Sequence, residues 1–228
     1  MSTEYTHKDL YNSGNEIKNY LGTYNPEKFW HDYGDFYIKS FMGDEKKSSS
    51  LNINMQVLVS RLHEIKPQKV LEVGCGFGRC LPFITRNVPS VTRLVGIEFS
   101  KPMLEQKEQF FKLCDTIHRR EIIETLQGDA RNIPFSDNEF DLVYTHVCLT
   151  HIPPKYIPQV TSEISRVAKN WIIHIERLVF PHEHSLQHRW SHLLVPYYLD
   201  LGWEVHENDI ANKDHHTNVL VLKRGDYK

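Results

Sequence analysis

The spacing of hydrophobic positions changes several times along the chain. Leu51, Met55, Leu58, Leu62 and Ile65 recur every three or four residues, which predicts an amphipathic helix that Pro67 stops. Directly after it, "KVLEVGC" is a short and almost continuous apolar run, and "RLVGIEF", "IIETLQG", "FDLVYTHV" and "WIIHIERLV" repeat the pattern downstream. Runs of this length between turn residues read as strands buried on both faces. Helix-like segments, "GRCLPFITRN", "KPMLEQKEQFFKLC" and "PKYIPQVTSEISRVAK", lie between most of them. Such alternation predicts an α/β fold, a doubly wound and mostly parallel sheet with helices on both faces.

The two ends of the chain follow other rules. "SLQHRWSHLLVPYYLDLG" reads as one helix, and "WEVHENDI" and "TNVLVLKR" follow it with a short polar turn between them. Strands so close in sequence pair antiparallel, which makes seven strands with an antiparallel last one. Residues 1–50 are polar, aromatic-rich and irregular, and they finish in "GDEKKSSS", which reads as a solvated loop. The expected organisation is a helical N-terminal appendage or lid over residues 1–50 and one ligand-binding domain over 51–228.

Composition changes this picture little. Hydrophobic residues at 40% and charged residues at 25% are ordinary for a globular domain. A net charge of −2 gives no global attraction to nucleic acid or an anionic membrane, and 14 histidines are a weak hint of acid sensitivity. No apolar run approaches the roughly 20 residues of a membrane span, and "MSTEYTHKDLYNSG" lacks the order of a secretory signal, so a cytoplasmic protein is expected. Cys75, Cys80, Cys114 and Cys148 form no CxxC pair and read as reduced thiols.

Candidate chemistry collects at the strand ends. In a doubly wound sheet, ligands lie beyond the carboxyl ends of the strands, so the glycine loop of "VLEVGCGFGR" sits where a cofactor would. The dinucleotide pattern GxGxxG fits Gly74 and Gly76 but meets Arg79 in place of its third glycine, Gly78 being one residue early; a P-loop fails for want of GK[ST]. Glu98, ending the second strand, stands where an acidic side chain can accept from both ribose hydroxyls. Phe99 offers a flat face to an adenine ring, Asp129 can accept from its amino group, and the Ala130 amide can face a ring nitrogen. Thr145 and His146 end the fourth strand and are placed to line the far side of the pocket.

These motifs together resemble the class I S-adenosylmethionine-dependent methyltransferases, especially those acting on small molecules. "VLEVGCGFGR" resembles the family's first motif, "GIEFS" its acidic second, "GDARNIPFSDNEFDLVYTHVCLTHIP" its middle block and "ISRVAKNWIIHIE" its following helix and fifth strand. The likeness covers residues 51–177 closely. It implies that Glu72 and the loop bearing Gly74, Cys75, Gly76 and Gly78 hold the methionine end of S-adenosylmethionine, that Glu98 holds the ribose, and that Phe99, Asp129 and Ala130 hold the adenine. "AKNWIIH" departs from the family's usual Pro-Gly-Gly turn, and "FWHDYGDFYIKSF" resembles only loosely the aromatic segment that closes over the cofactor, where Tyr37 would reach its carboxylate. An aromatic helix packed on the sheet is the other reading of that segment.

The resemblance implies methyl transfer to an oxygen or nitrogen of a small molecule: a sugar, a natural-product intermediate or a peptide terminus. A histidine near the methyl is the usual agent for removing the acceptor's proton. "THVCLTHIPP" puts His151 in that place, as a base or substrate-orienting group, or alternatively as a residue that only packs the loop. His184, His188 and His192 would share one face of the predicted C-terminal helix, a spacing that can ligate a metal but that also fits an exposed histidine-rich helix, and no metal is expected. His184, Trp190 and Tyr197 would shape the acceptor pocket, with Glu176 a further polar group. The competing readings are an NAD-dependent oxidoreductase and a non-catalytic, cofactor-binding partner subunit. No [DN]PP[YFW] motif or Pro-Cys pair points to a nucleic-acid acceptor.

Overall fold

A computed structural model describes residues 29–30, 45–113, 118–178, 189–212 and 217–225. Helix α1 (Glu45–Ile65) leads into β1 (Lys69–Val73). Then come α2 (Leu81–Asn87), β2 (Arg93–Glu98), α3 (Lys101–Glu105), α4 (Lys107–Leu113), β3 (Ile123–Gln127) and β4 (Phe140–His146). Helix α5 (Ile157–Val167), β5 (Ala168–Arg177), α6 (Val195–Asp200), β6 (Trp203–Asn212) and β7 (Thr217–Arg224) complete the order. All seven strands form one sheet, ordered β3-β2-β1-β4-β5-β7-β6. β7 runs antiparallel to both neighbours and the other pairings are parallel, as the sequence predicts.

Alternation along the central strands splits the core into two layers. Leu71 and Val73 of β1, with Val95, Val143 and Ile172, pack beneath Ile157, Val160 and Ile164 of α5 and against Tyr198 and Trp203. Val70, Leu94, Leu142 and Ile173 face the other way, onto Leu58 and Leu62 of α1 and Leu81 and Ile84 of α2. Because β1 lies between β2 and β4, the winding direction reverses at its carboxyl end, where a crevice opens.

Three expectations change. "GDEKKSSS" is helical from Glu45, so the expected boundary at residue 50 falls inside α1. The helix over 101–114 divides at Gln106 into α3 and α4. The C-terminal helix is only Val195–Asp200, and the described stretch before it, 189–194, is irregular. Pro196 explains the last of these: a helix continuing back through residue 192 would lose the Pro196 hydrogen bond and drive its ring into the carbonyl four residues earlier. The departure at "AKNWIIH" also has a structural counterpart. α5 passes to β5 with no intervening residue, and the Arg224 guanidinium, stacked 4.1 Å from the Trp203 ring, donates to Ser165 O at 2.9 Å in the role a C-cap glycine would serve.

Candidate cofactor and methyl-transfer site

A cleft of about 1120 Å³, counting the space it leaves open to solvent, lies at the switch point. β1 delivers the glycine loop to its floor. The Gly74 and Cys75 amides both donate to Ile97 O at 2.9 Å, tying the loop to β2. Gly74 has φ +77°, and a Cβ there would overlap the Cys148 side chain, so two loops meet over a position only glycine can fill.

Glu98, 8% exposed, holds the loop in place: Oε2 accepts from Gly76 N–H and Oε1 from Ser100 N–H, each at 2.8 Å. Burial raises its pKa, and the backbone donors pull it partly back. Each oxygen has a second lone pair, and Glu98 lines the cleft, which suits a vicinal diol. Phe99 and Ala130 line the adjoining wall. Asp129 lines it too, but its carboxylate is already forked onto Arg131, with contacts of 2.6–3.0 Å to the guanidinium and 2.8 Å to the Arg131 amide. Burial pushes Asp129 upward, and those hydrogen bonds outweigh it, holding the carboxyl below its ordinary range. The Arg131 guanidinium stands 4.7 Å from the Tyr156 ring centroid and 6.0 Å from that of Phe99. Arg131 and Tyr156 are therefore site residues that the sequence reading missed; the signal for Arg131 was its place next to Ala130 in the third-strand motif.

Deeper in the cleft, Glu72 is 1% exposed and burial lifts its pKa to about 7, against the opposing pull of Tyr144, Cys80 and Arg79. Among the described residues its Oε2 has no hydrogen-bond partner. His146 is buried beside it, with Nδ1 3.4 Å from Cys80 Sγ, Nε2 without a partner among the described residues, and a pKa pushed down to about 3 chiefly by burial and further by Arg79. His146 is thus a neutral wall of the pocket. A buried carboxylate oxygen without a donor, next to a glycine cradle and a diol-binding carboxylate, fits an adenosyl amino-acid cofactor, whose ammonium would complete Glu72.

Thr145 does not join this lining. It is fully buried behind the cleft and donates to Glu176 Oε1 at 2.6 Å. Alternation explains the difference, since Tyr144 and His146 point toward the cleft side of β4 and Thr145 points away. His151 lies on a 3-10 turn at Leu149–His151 and lines the cleft mouth, its ring edge-on to Trp30 at 4.8 Å and 82°. Trp30 also accepts from Ser100 Oγ through its carbonyl at 3.1 Å, so part of the loosely matching aromatic segment does reach the cofactor cleft. Tyr37 lies outside the described residues, as do His184 and His188. His192 sits in the irregular stretch before α6, and its Nε2 is 2.9 Å from Leu149 O. Burial pushes it down to about 4, which makes it a neutral prop for the 149–151 turn. Among the described residues no cluster of three metal-ligating side chains is assembled, and no helix is long and apolar enough to cross a membrane.

Sheet order and site together define a class I, Rossmann-like domain built for an adenosyl cofactor. Residues 70–170 match the family described as a methyltransferase domain, and the lining of the cleft fits S-adenosylmethionine as the cofactor. Demethylmenaquinone methyltransferase of Lactiplantibacillus plantarum is 31% identical over 114 residues, which are 49% of this chain and 45% of that protein. The chain thus spans about half the length of the curated relatives it matches. Magnesium protoporphyrin IX methyltransferase from Synechocystis PCC 6803, solved with bound S-adenosylhomocysteine, superposes with a TM-score of 0.69 at 13% identity, covering 87% of this chain and 98% of that one. A [4+2] cyclase shares the fold at a TM-score of 0.60 and 14% identity, covering 76% of this chain and 81% of its own, so the fold by itself does not fix the reaction.

Proposed function

We propose that the protein transfers a methyl group from S-adenosylmethionine to an oxygen or nitrogen of a small molecule: a sugar, a natural-product intermediate or a peptide terminus. The observation that carries this reading is the convergence, in one cleft, of the diol-facing Glu98, the unpartnered buried oxygen of Glu72 and the mouth residue His151. The bound cofactor supplies an electrophilic methyl on a sulfonium. The chain's part is positional: Glu98 and the glycine loop bind, Glu72 takes the positive end, and Trp30 with the 147–151 loop screens the mouth from water. His151, at that mouth, orients the acceptor and takes its proton.

The demethylmenaquinone relative's name supports a small organic acceptor. The near-neutral net charge gives no support to a nucleic-acid partner. A thermal-shift titration with S-adenosylmethionine, S-adenosylhomocysteine, NAD and NADP tests the reading. A ligand at 100 times its Kd adds about 2.7 kcal/mol to the folded state. Stabilisation by the two sulfur compounds alone is expected; stabilisation by a dinucleotide, or by none of the four, overturns it. Once an acceptor is found, methyl transfer separates an enzyme from a non-catalytic binding subunit.

A further inference from the structure

The loop between β4 and α5 is held in an unusual way. Val147, a β-branched residue, has φ +53°, a conformation that costs such a side chain of order 1–3 kcal/mol and persists only where the surroundings impose it. The next three amides supply the constraint. Cys148 N–H and Leu149 N–H donate to Glu176 Oε1 at 3.2 and 3.1 Å, and Thr150 N–H donates to Oε2 at 3.2 Å. On the loop's other edge, Trp190 N–H donates to Thr150 O at 2.8 Å and His192 Nε2 meets Leu149 O at 2.9 Å.

Behind Glu176 runs a buried chain. Thr145 Oγ1 lies 2.6 Å from Glu176 Oε1 and 2.8 Å from His174 Nδ1, and His174 Nε2 lies 2.8 Å from the Tyr198 hydroxyl. Its direction follows from donor arithmetic. A carboxylate only accepts, so Thr145 donates its one hydroxyl proton to Glu176. Thr145 must then accept from His174, which puts the proton of that neutral ring on Nδ1. Nε2 is left to accept from Tyr198. Every donor points toward Glu176.

We propose that Glu176 is a positioning residue for methyl transfer: its carboxylate, oriented by the directed chain Tyr198, His174 and Thr145, clamps the amides of residues 148–150, holds Val147 in its strained turn and so presents His151 at the cleft mouth. This rests on the methyltransferase reading for the role of His151, but the clamp itself is independent of any ligand. None of Glu176, Thr145, His174 and Tyr198 lines the cleft.

Three measurements on the full-length protein test it. The first is 15N NMR of the wild-type His174 ring, where the Nδ1–H tautomer is expected and an Nε2–H tautomer overturns the chain. The second is amide exchange in Glu176→Gln, whose side chain has one acceptor oxygen in place of two. Exchange at residues 148–150 is expected to accelerate about tenfold or more while the rest of the sheet is unchanged. Unchanged exchange at these amides, or equal acceleration throughout the sheet, overturns the clamp. Tyr198→Phe, a milder change, should accelerate the same three amides to a smaller degree, which keeps the test open if Glu176→Gln folds poorly. The third is affinity for S-adenosylhomocysteine, expected to stay within about twofold in Tyr198→Phe. No binding by the wild type defeats the methyltransferase reading and leaves the other two measurements intact; binding lost only in the variant assigns the chain to the cofactor site and defeats the proposal.

Discussion

At the scale of single residues, the acidic side chains divide by what already occupies them. Glu98 is satisfied by two amides and still faces the cleft, whereas Asp129 is taken by Arg131. Glu98→Ala therefore removes the brace of the glycine loop and the proposed ribose acceptor, and affinity for S-adenosylhomocysteine, measured by calorimetry, should fall about 10- to 100-fold, the range for losing a hydrogen bond to a charged group. An unchanged affinity would place the ribose elsewhere. His151→Ala removes a group at the mouth and should leave that affinity within about twofold while slowing transfer by about 10²-fold or more, the typical contribution of a general base. The first two motifs made Glu72, Glu98 and the glycines legible because their chemistry is local to a strand end. Arg131, two residues from Asp129, lies within the same motif, whereas Glu176, the partner that holds Thr145 inward, lies 31 residues away in the chain, which spacing does not reveal.

At the scale of elements, the central strands and α5 were legible because burial on both faces leaves an unbroken apolar run and burial on one face leaves a helical stripe. The segment before α6 was not, since its apolar and histidine positions mimic a helix that Pro196 forbids. Where two elements meet, the sequence shows a glycine but not the reason for it. The glycine loop and the β4–α5 loop touch at Gly74 and Cys148. Gly74→Ala should cost about 1–2 kcal/mol from its left-handed backbone alone, and more from the overlap with Cys148, which can be relieved only by moving the loop that carries His151. In a double-mutant cycle read by denaturant unfolding, Cys148→Ala should recover the part of the overlap that comes from Sγ, and leave the residual Cβ contact and the backbone part. Strict additivity of the two changes would show that the loops do not meet there.

At the scale of the whole molecule, the sheet buries titrating groups whose effects on stability oppose one another. His146 and His174, 6% and 1% exposed, are each held neutral with a pKa of about 3 by burial. A depressed histidine pKa means that the unfolded chain takes up protons first as pH falls through about 6.5, so these two stabilise the fold above that pH and the contribution is lost below it. Glu72 has the opposite sign. With a folded pKa of about 7, above its unfolded value, the native state holds the extra proton, so its contribution is present at low pH and is lost as pH rises toward 7. Between pH 7.5 and 5.5 the two histidines together remove about 3 kcal/mol while Glu72 returns about 2 kcal/mol. Glu72→Gln keeps the shape of the side chain and abolishes its titration, so the cofactor-free variant should lose about 2 kcal/mol more than the wild type over that interval in guanidinium unfolding. His192, which burial lowers, and Glu176, which burial raises, contribute equally to both proteins and cancel in the comparison. Equal losses in the two proteins would mean that Glu72 is ionised throughout the interval, and that the free protein already carries the negative charge a cofactor's ammonium would meet.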